Sequence, residues 1–138
     1  MEAVMNPKRI AIVTDSSAYL PKEALAGLDV HVIPLWLLWE GENLRDGVDI
    51  DPPTFYQRLR TAKSLPTSSQ PTVAEFVDFY QQVAQNADTI VSVLVSAKIS
   101  GTIASAAAAI EQLPDLDIHL VDSYNCSMGL GYVVLAAA

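Results

Sequence analysis

Hydroxyl groups crowd one short stretch of this chain, "SAKISGTIASAAAAI" at residues 96–110. Ser96, Ser100 and Thr102 surround Gly101 just where a small, apolar helix would begin. A helix N-terminus carries unpaired backbone N–H groups and about half a unit of positive charge, so hydroxyls placed there suit an anionic group, a carboxylate or a phosphate. Gly101 has no side chain to hold such a group away from the backbone. The plainer reading is that Ser100 caps the helix, as serine commonly does. Ser68 and Ser69, between Pro66 and Pro71, read as a polar turn by themselves and as further donors if the fold brings them to the first cluster.

The elements that must carry these hydroxyls follow from the pattern around them. "RIAIVTD" at 9–15 reads as a buried strand, and "PKEALAGL" at 21–28 predicts a short helix from its proline start and late glycine. "DVHVIPLWLLWEG" at 29–41 is rich in strand formers, with Pro34 forcing an edge position or a break. Asp46-Gly47 marks a turn beside a short extended piece, and a helix is expected over "PPTFYQRLRTAK" after Asp51. The prolines and hydroxyls of "SLPTSSQPT" at 64–72 predict a loop without regular structure. Thr72 and Glu75 have capping-box spacing, and Val73, Phe76, Val77, Tyr80 and Val83 then make an apolar stripe, so 72–87 is the best-marked helix. A strand at 89–95, the Ala-rich helix to Gln112, a strand at 117–121 and an apolar helix in "SMGLGYVVLAAA" complete the reading.

Strands alternating with helices at this spacing indicate a three-layer α/β/α fold with a mainly parallel sheet. "IVTDSS", "VLVSAKIS" and "HLVDSY" each end an apolar strand in hydroxyls. Ser16, Ser17, Ser96, Ser100 and Ser123 should therefore share the carboxyl edge of the sheet, where open α/β sheets bind their ligands.

Composition narrows the ligand. A net charge of -8, with Lys and Arg numbering only 8, opposes binding to nucleic acid or an acidic membrane surface. Cys126 is the sole cysteine, and the two histidines, His31 and His119, sit in strand-like runs, which argues against a disulfide, a zinc site or any other metal or cofactor centre. The apolar runs are too short to span a membrane, and the first residues lack the pattern of a secretory signal, so the expected compartment is the cytoplasm. With no G-x-S-x-G elbow the chain does not read as a serine hydrolase, or as an enzyme. A phosphate or nucleotide binder of phosphotransferase type remains the alternative, although no G-x-x-x-x-G-K-[ST] loop exists and "GLG" at 129–131 is too short for a dinucleotide fingerprint.

Taken in order, "VTDSS", "IPL" followed by a "DG" turn, "TSSQPT", "SAKISGTIASA" and "VDSYNCSMGLG" resemble the DegV family over residues 9–138, leaving residues 1–8 as a leader. The resemblance implies a bacterial fatty-acid-binding protein of two α/β domains that encloses a long acyl chain. It implies further that the carboxylate is held at the domain junction by a hydroxyl of the "TSQP" loop and the serine of "SGT", and that some members present it to an acyl kinase. Carried over, these positions are Ser68, where the family commonly has threonine, and Ser100. Ser69, Gln70, Gly101 and Thr102 would shape the site, with Asp15, Ser16, Asp122 and Ser123 as supports at the strand ends. Because members of the family have roughly twice this length, the chain reads as an amino-terminal half without the second domain. The expected consequences are an exposed domain-facing surface prone to self-association, and weakened or absent lipid binding by the isolated half.

Overall fold

The computed structural model describes residues 8–138, so the expected leader lies outside the described residues apart from Lys8. In chain order the elements are β1 (Ile10–Asp15), β2 (Val30–Ile33), β3 (Trp36–Trp39), β4 (Glu42–Arg45), α1 (Pro52–Leu59), β5 (Thr67–Ser69), α2 (Val73–Ala84), β6 (Thr89–Leu94), α3 (Thr102–Glu111), β7 (Ile118–Asp122) and α4 (Ser127–Ala137). Four of the strands form a parallel sheet in the order β2-β1-β6-β7, with Ile12 opposite Val30 on one side and Val91 on the other. After β1 the chain moves to one side for β2 and to the opposite side for β6 and β7. The carboxyl ends of β1 and β6 therefore flank a topological switch point, the usual ligand crevice of such sheets.

Alternation along β1 and β6 divides the core into two layers. Ala11, Val13, Ile90 and Leu94 pack with Phe76, Tyr80 and Val83 of α2 and Ala106 and Ala109 of α3. Ile12, Val93 and Val95 pack with Ala18, Leu130 and Val134, which puts α4 on the other face. Helices cover both faces, giving the expected α/β/α arrangement. Phe76 and Tyr80 are fully buried, each contributing about 1.5–3 kcal/mol of transfer free energy. The Tyr80 hydroxyl meets Ser92 Oγ at 2.8 Å, so this core polar pair is satisfied.

The second sheet, with the antiparallel order β4-β3-β5, was not anticipated by the sequence pattern. Pro34 interrupts the apolar run as expected, and the break sends its two halves, β2 and β3, into different sheets. Glu40 and Gly41, both at positive φ (50° and 87°), close the β3–β4 hairpin in the conformation that suits a two-residue turn. The small sheet is backed by α1: Phe55 lies 5.2 Å from the Trp39 ring, and the Arg58 guanidinium sits 4.6 Å above it.

Two expectations are corrected. The segment 64–72 is not without regular structure, because Thr67–Ser69 forms β5 on the edge of the small sheet, with Ser68 opposite Leu37. Its ladder partner comes from a distant strand, which local propensity does not register. The helix expected over 21–28 shrinks to a 3-10 turn at Lys22–Leu25, with no side-chain cap and no buried residue. So short a segment gains too little from packing to overcome the cost of helix nucleation. By contrast α2 begins as its sequence predicts, with Thr72 and Glu75 forming the complete capping box.

Candidate functional site

The loop after β1 is organised by Asp15, whose side chain is fully buried. Its Oδ1 accepts from the Ser17 amide at 3.0 Å and from the Ser17 hydroxyl, while Oδ2 accepts from the Val95 amide at 2.8 Å. One carboxylate thus joins the ends of β1 and β6 across the switch point. Ser16 Oγ accepts from the Leu35 amide at 3.0 Å, tying the same loop to the linker between β2 and β3. Asp122 does similar work after β7, accepting from the Tyr124 amide at 2.9 Å and the Ala97 amide at 3.3 Å. Ser123 Oγ donates to Asn125 O at 3.2 Å and accepts from Asn125 N at 3.1 Å.

Most of the serines expected at this edge therefore spend their hydroxyls on the protein. Ser96, only 5% exposed, accepts from the Lys98 amide at 3.2 Å, and Ser123 is 8% exposed. The "SGT" corner differs. Ser100 is half-buried; its Oγ lies 2.8 Å from Thr102 Oγ1 and accepts from Thr102 N at 3.3 Å. Gly101, not Ser100, is the N-cap residue of α3, so the simple capping role considered for Ser100 is replaced by a tighter local turn. Ser105 N bonds to Gly101 O at 3.1 Å, leaving the first amides of α3 ahead of it without partners in their own helix.

The two hydroxyl clusters meet through Gln70 and Gly101. A Cβ placed on Gly101 would lie 2.8 Å from Gln70 Nε2, so the Gln70 carboxamide rests on the glycine backbone. This contact brings the "TSSQP" segment to the start of α3. Ser68 is exposed on β5, and among the described residues its hydroxyl makes no hydrogen bond, which leaves it free to donate. Ser69 Oγ donates to Gln70 O at 3.3 Å.

Charge near the corner is sparse. Lys98 is exposed, with its ammonium 5.7 Å from the Tyr124 ring. Asp46, beside the loop after β1, is held above its ordinary pKa, first by burial and then by the charge of Asp15, with the Ser16 hydroxyl opposing. His31 and His119 sit near the amino ends of β2 and β7, away from the hydroxyl edge, and pair with Asp29 and Asp117 at 2.7 and 3.1 Å.

Sequence reasoning missed the residues that hold "TSSQP" in place. Trp36 Nε1 donates to Glu75 Oε1 at 2.8 Å, and Trp39 Nε1 donates to Ser64 O at 3.0 Å. The available signal was two tryptophans on one short strand, because a buried indole N–H requires an acceptor.

A sequence model described as an uncharacterised protein family, DegV, matches residues 9–138. Protein DegV of Bacillus subtilis is 37% identical over 129 residues, covering 94% of this chain and 46% of that protein. The crystal structure of DegV from Bacillus subtilis, described as a fatty acid binding protein, superposes with a TM-score of 0.89 at 36% identity, over 95% of this chain and 46% of that one. A DegV family protein from Thermus thermophilus, whose structure is described by its fatty acid binding, gives a TM-score of 0.83 at 36% identity over 94% of this chain and 46% of that one. The chain thus spans about half the length of the curated relatives it matches.

Proposed function

The chain belongs to the DegV family, and from that premise we propose that it binds the carboxylate end of a long-chain fatty acid. The observation that carries this reading is the contact of Gln70 with Gly101, which supports a joint site for the free hydroxyl of Ser68 and the Ser100–Thr102 pair. Either hydroxyl of the Ser100–Thr102 pair can donate to the other; in the arrangement where Thr102 donates, the Ser100 proton is available to a ligand oxygen while Ser68 supplies a second donor. Ser69, Gln70 and Gly101 set the shape of the corner. Asp15, Ser16, Asp122 and Ser123 fix the loops around it.

Neutral donors suit a ligand whose affinity comes mostly from its tail. Roughly fifteen methylenes at about 0.8 kcal/mol each would supply on the order of 10 kcal/mol before ordering costs. Without an arginine fork occupying both oxygens, one carboxylate oxygen stays open to an attacking partner. Presentation to an acyl kinase is therefore part of the proposal, and the chain acts as a carrier rather than an enzyme. The chain matches about half the length of its curated relatives, and in this proposal the family's second domain contributes to enclosing the acyl chain.

Tyr19, Ile99 and Tyr124 are exposed in the loops that follow the sheet's carboxyl edge and supply apolar surface for a further domain or for self-association. The exposed free Cys126 is compatible with the reducing cytoplasm as the compartment. No helix of the described residues is long and apolar enough to cross a membrane.

The test is organic extraction and mass spectrometry of purified protein, with the Ser68→Ala, Ser100→Ala double variant alongside. A fatty acid retained by the wild type and lost from the variant would support the reading. Protein that stays empty with added lipid, both as this chain and joined to the family's second domain, would refute it.

A further inference from the structure

We infer that Trp36 and Trp39 are positioning residues that grip the "TSSQP" segment at both ends and set it against the start of α3. The two tryptophans are the only ones in the chain, and both lie on β3. Being three residues apart on a strand, they point to opposite faces of the small sheet. Trp39 is 1% exposed, packed with Phe55 and Arg58, and its indole N–H holds the Ser64 carbonyl where the segment begins. Trp36 is half-buried, and its indole N–H holds Glu75 where the segment has become α2.

Glu75 divides its carboxylate between two tasks. Oε2 accepts from the Thr72 amide at 2.7 Å and the Thr72 hydroxyl at 2.8 Å, closing the helix cap, while Oε1 takes the Trp36 indole. Between these fastenings, Trp36 and Leu37 pair with Ser69 and Ser68 across the ladder. A short edge strand bracketed by prolines has little stability of its own. The two indole bonds remove that freedom, so Gln70 meets Gly101 in one arrangement and Ser68 stands at a fixed place relative to Ser100. The effect on ligand affinity rests on the fatty-acid reading, whereas the gripping of the segment does not.

Trp36→Phe keeps an aromatic ring and deletes the donor. Hydrogen exchange of the 67–70 amides and the urea midpoint are measured together with oleate affinity by calorimetry, using the chain joined to the family's second domain if the half alone binds nothing. Exchange at 67–70 should accelerate at least tenfold while β6 amides and the urea midpoint stay close to wild type, with oleate bound five- to tenfold more weakly. Glu75→Ala should act in the same direction, and Glu75→Gln, which keeps an acceptor for the indole, should recover most of the loss. Unchanged exchange at 67–70 overturns the inference whatever happens to lipid, and so does unchanged affinity in a protein that binds oleate. Faster exchange in a protein that never binds oleate supports the grip and refutes the fatty-acid reading instead.

Discussion

Gln70 covers Gly101 so closely that a Cβ on the glycine would stand 2.8 Å from Nε2 and 3.2 Å from Cδ of the glutamine. The atoms in the way belong to the far end of a flexible side chain, so Gly101→Ala should displace Gln70 and leave α3 where it is. Stability should change by less than about 1 kcal/mol, the range of substitutions that open no cavity and bury no unpaired group. On the proposed fatty-acid reading, oleate affinity of the chain joined to the family's second domain should fall severalfold, since the displaced carboxamide no longer fixes the corner. Calorimetry on the variant checks this, and wild-type affinity would remove Gln70 from the site.

Thr14 presents a different imbalance. It is fully buried on β1, and among the described residues its Oγ1 has no hydrogen-bond partner. Strand alternation puts its side chain on the same face as Ile12, which packs in the apolar layer beneath α4. Replacing an unpaired buried hydroxyl by a methyl group of similar shape removes a desolvation penalty of about 1–3 kcal/mol. Thr14→Val should therefore raise the urea midpoint. A lower midpoint would mean that the hydroxyl is satisfied in solution.

Asp15 should be among the least replaceable residues of the fold. Asp15→Ala would strand the amides of Ser17 and Val95 at the end of the core, where each unpaired donor costs about 1–3 kcal/mol. Asp15→Asn keeps one acceptor oxygen and should be less damaging. Equal, small losses in denaturant titrations of the two variants would show that the carboxylate does not join β1 to β6.

Acid should destabilise the protein, and the groups responsible can be named. Hydrogen bonds from Arg45 hold Asp49 down to about 2. Asp51, Asp88 and Asp117 are also lowered, chiefly by hydrogen bonds from Thr54, Arg9 and Thr89. Glu75 is lowered as well, because the bonds from Thr72 and Trp36 outweigh the upward push of burial. Each depressed carboxylate binds its proton less readily folded than unfolded, so its contribution is complete above the ordinary carboxylate pKa and is lost as the pH falls through the folded value. Asp46 has the opposite sign: burial raises it, so protonation relieves the fold. The depressed groups outnumber it, and stability should decline from about pH 4 to about pH 2. Urea midpoints across that range should fall less steeply for Asp49→Asn, and Asp46→Asn should raise the midpoint at neutral pH. A wild-type midpoint independent of pH would contradict the assignment.

Elements whose signals are local were legible in the amino-acid pattern. The period of apolar residues gave β1, β6 and α2, because burial on one face repeats with the geometry of the element. Thr72 and Glu75 announced the start of α2, since a capping box closes within its own turn. The order of the motifs pointed to the family, and the candidate residues Ser68, Ser100 and Gly101 with it. Tertiary structure decided what depends on distant partners. Thr67–Ser69 became a strand because β3 offered it a ladder, and Lys22–Leu25 stayed a single 3-10 turn because none of its residues is fully buried in a core. Only the folded chain separated the free hydroxyl of Ser68 from those of Ser96 and Ser123, which are spent on backbone groups. Only there does one strand's pair of indole N–H groups find Ser64 and Glu75, 25 and 39 positions away, because two tryptophans on a strand signal that acceptors are needed but not which distant residues supply them.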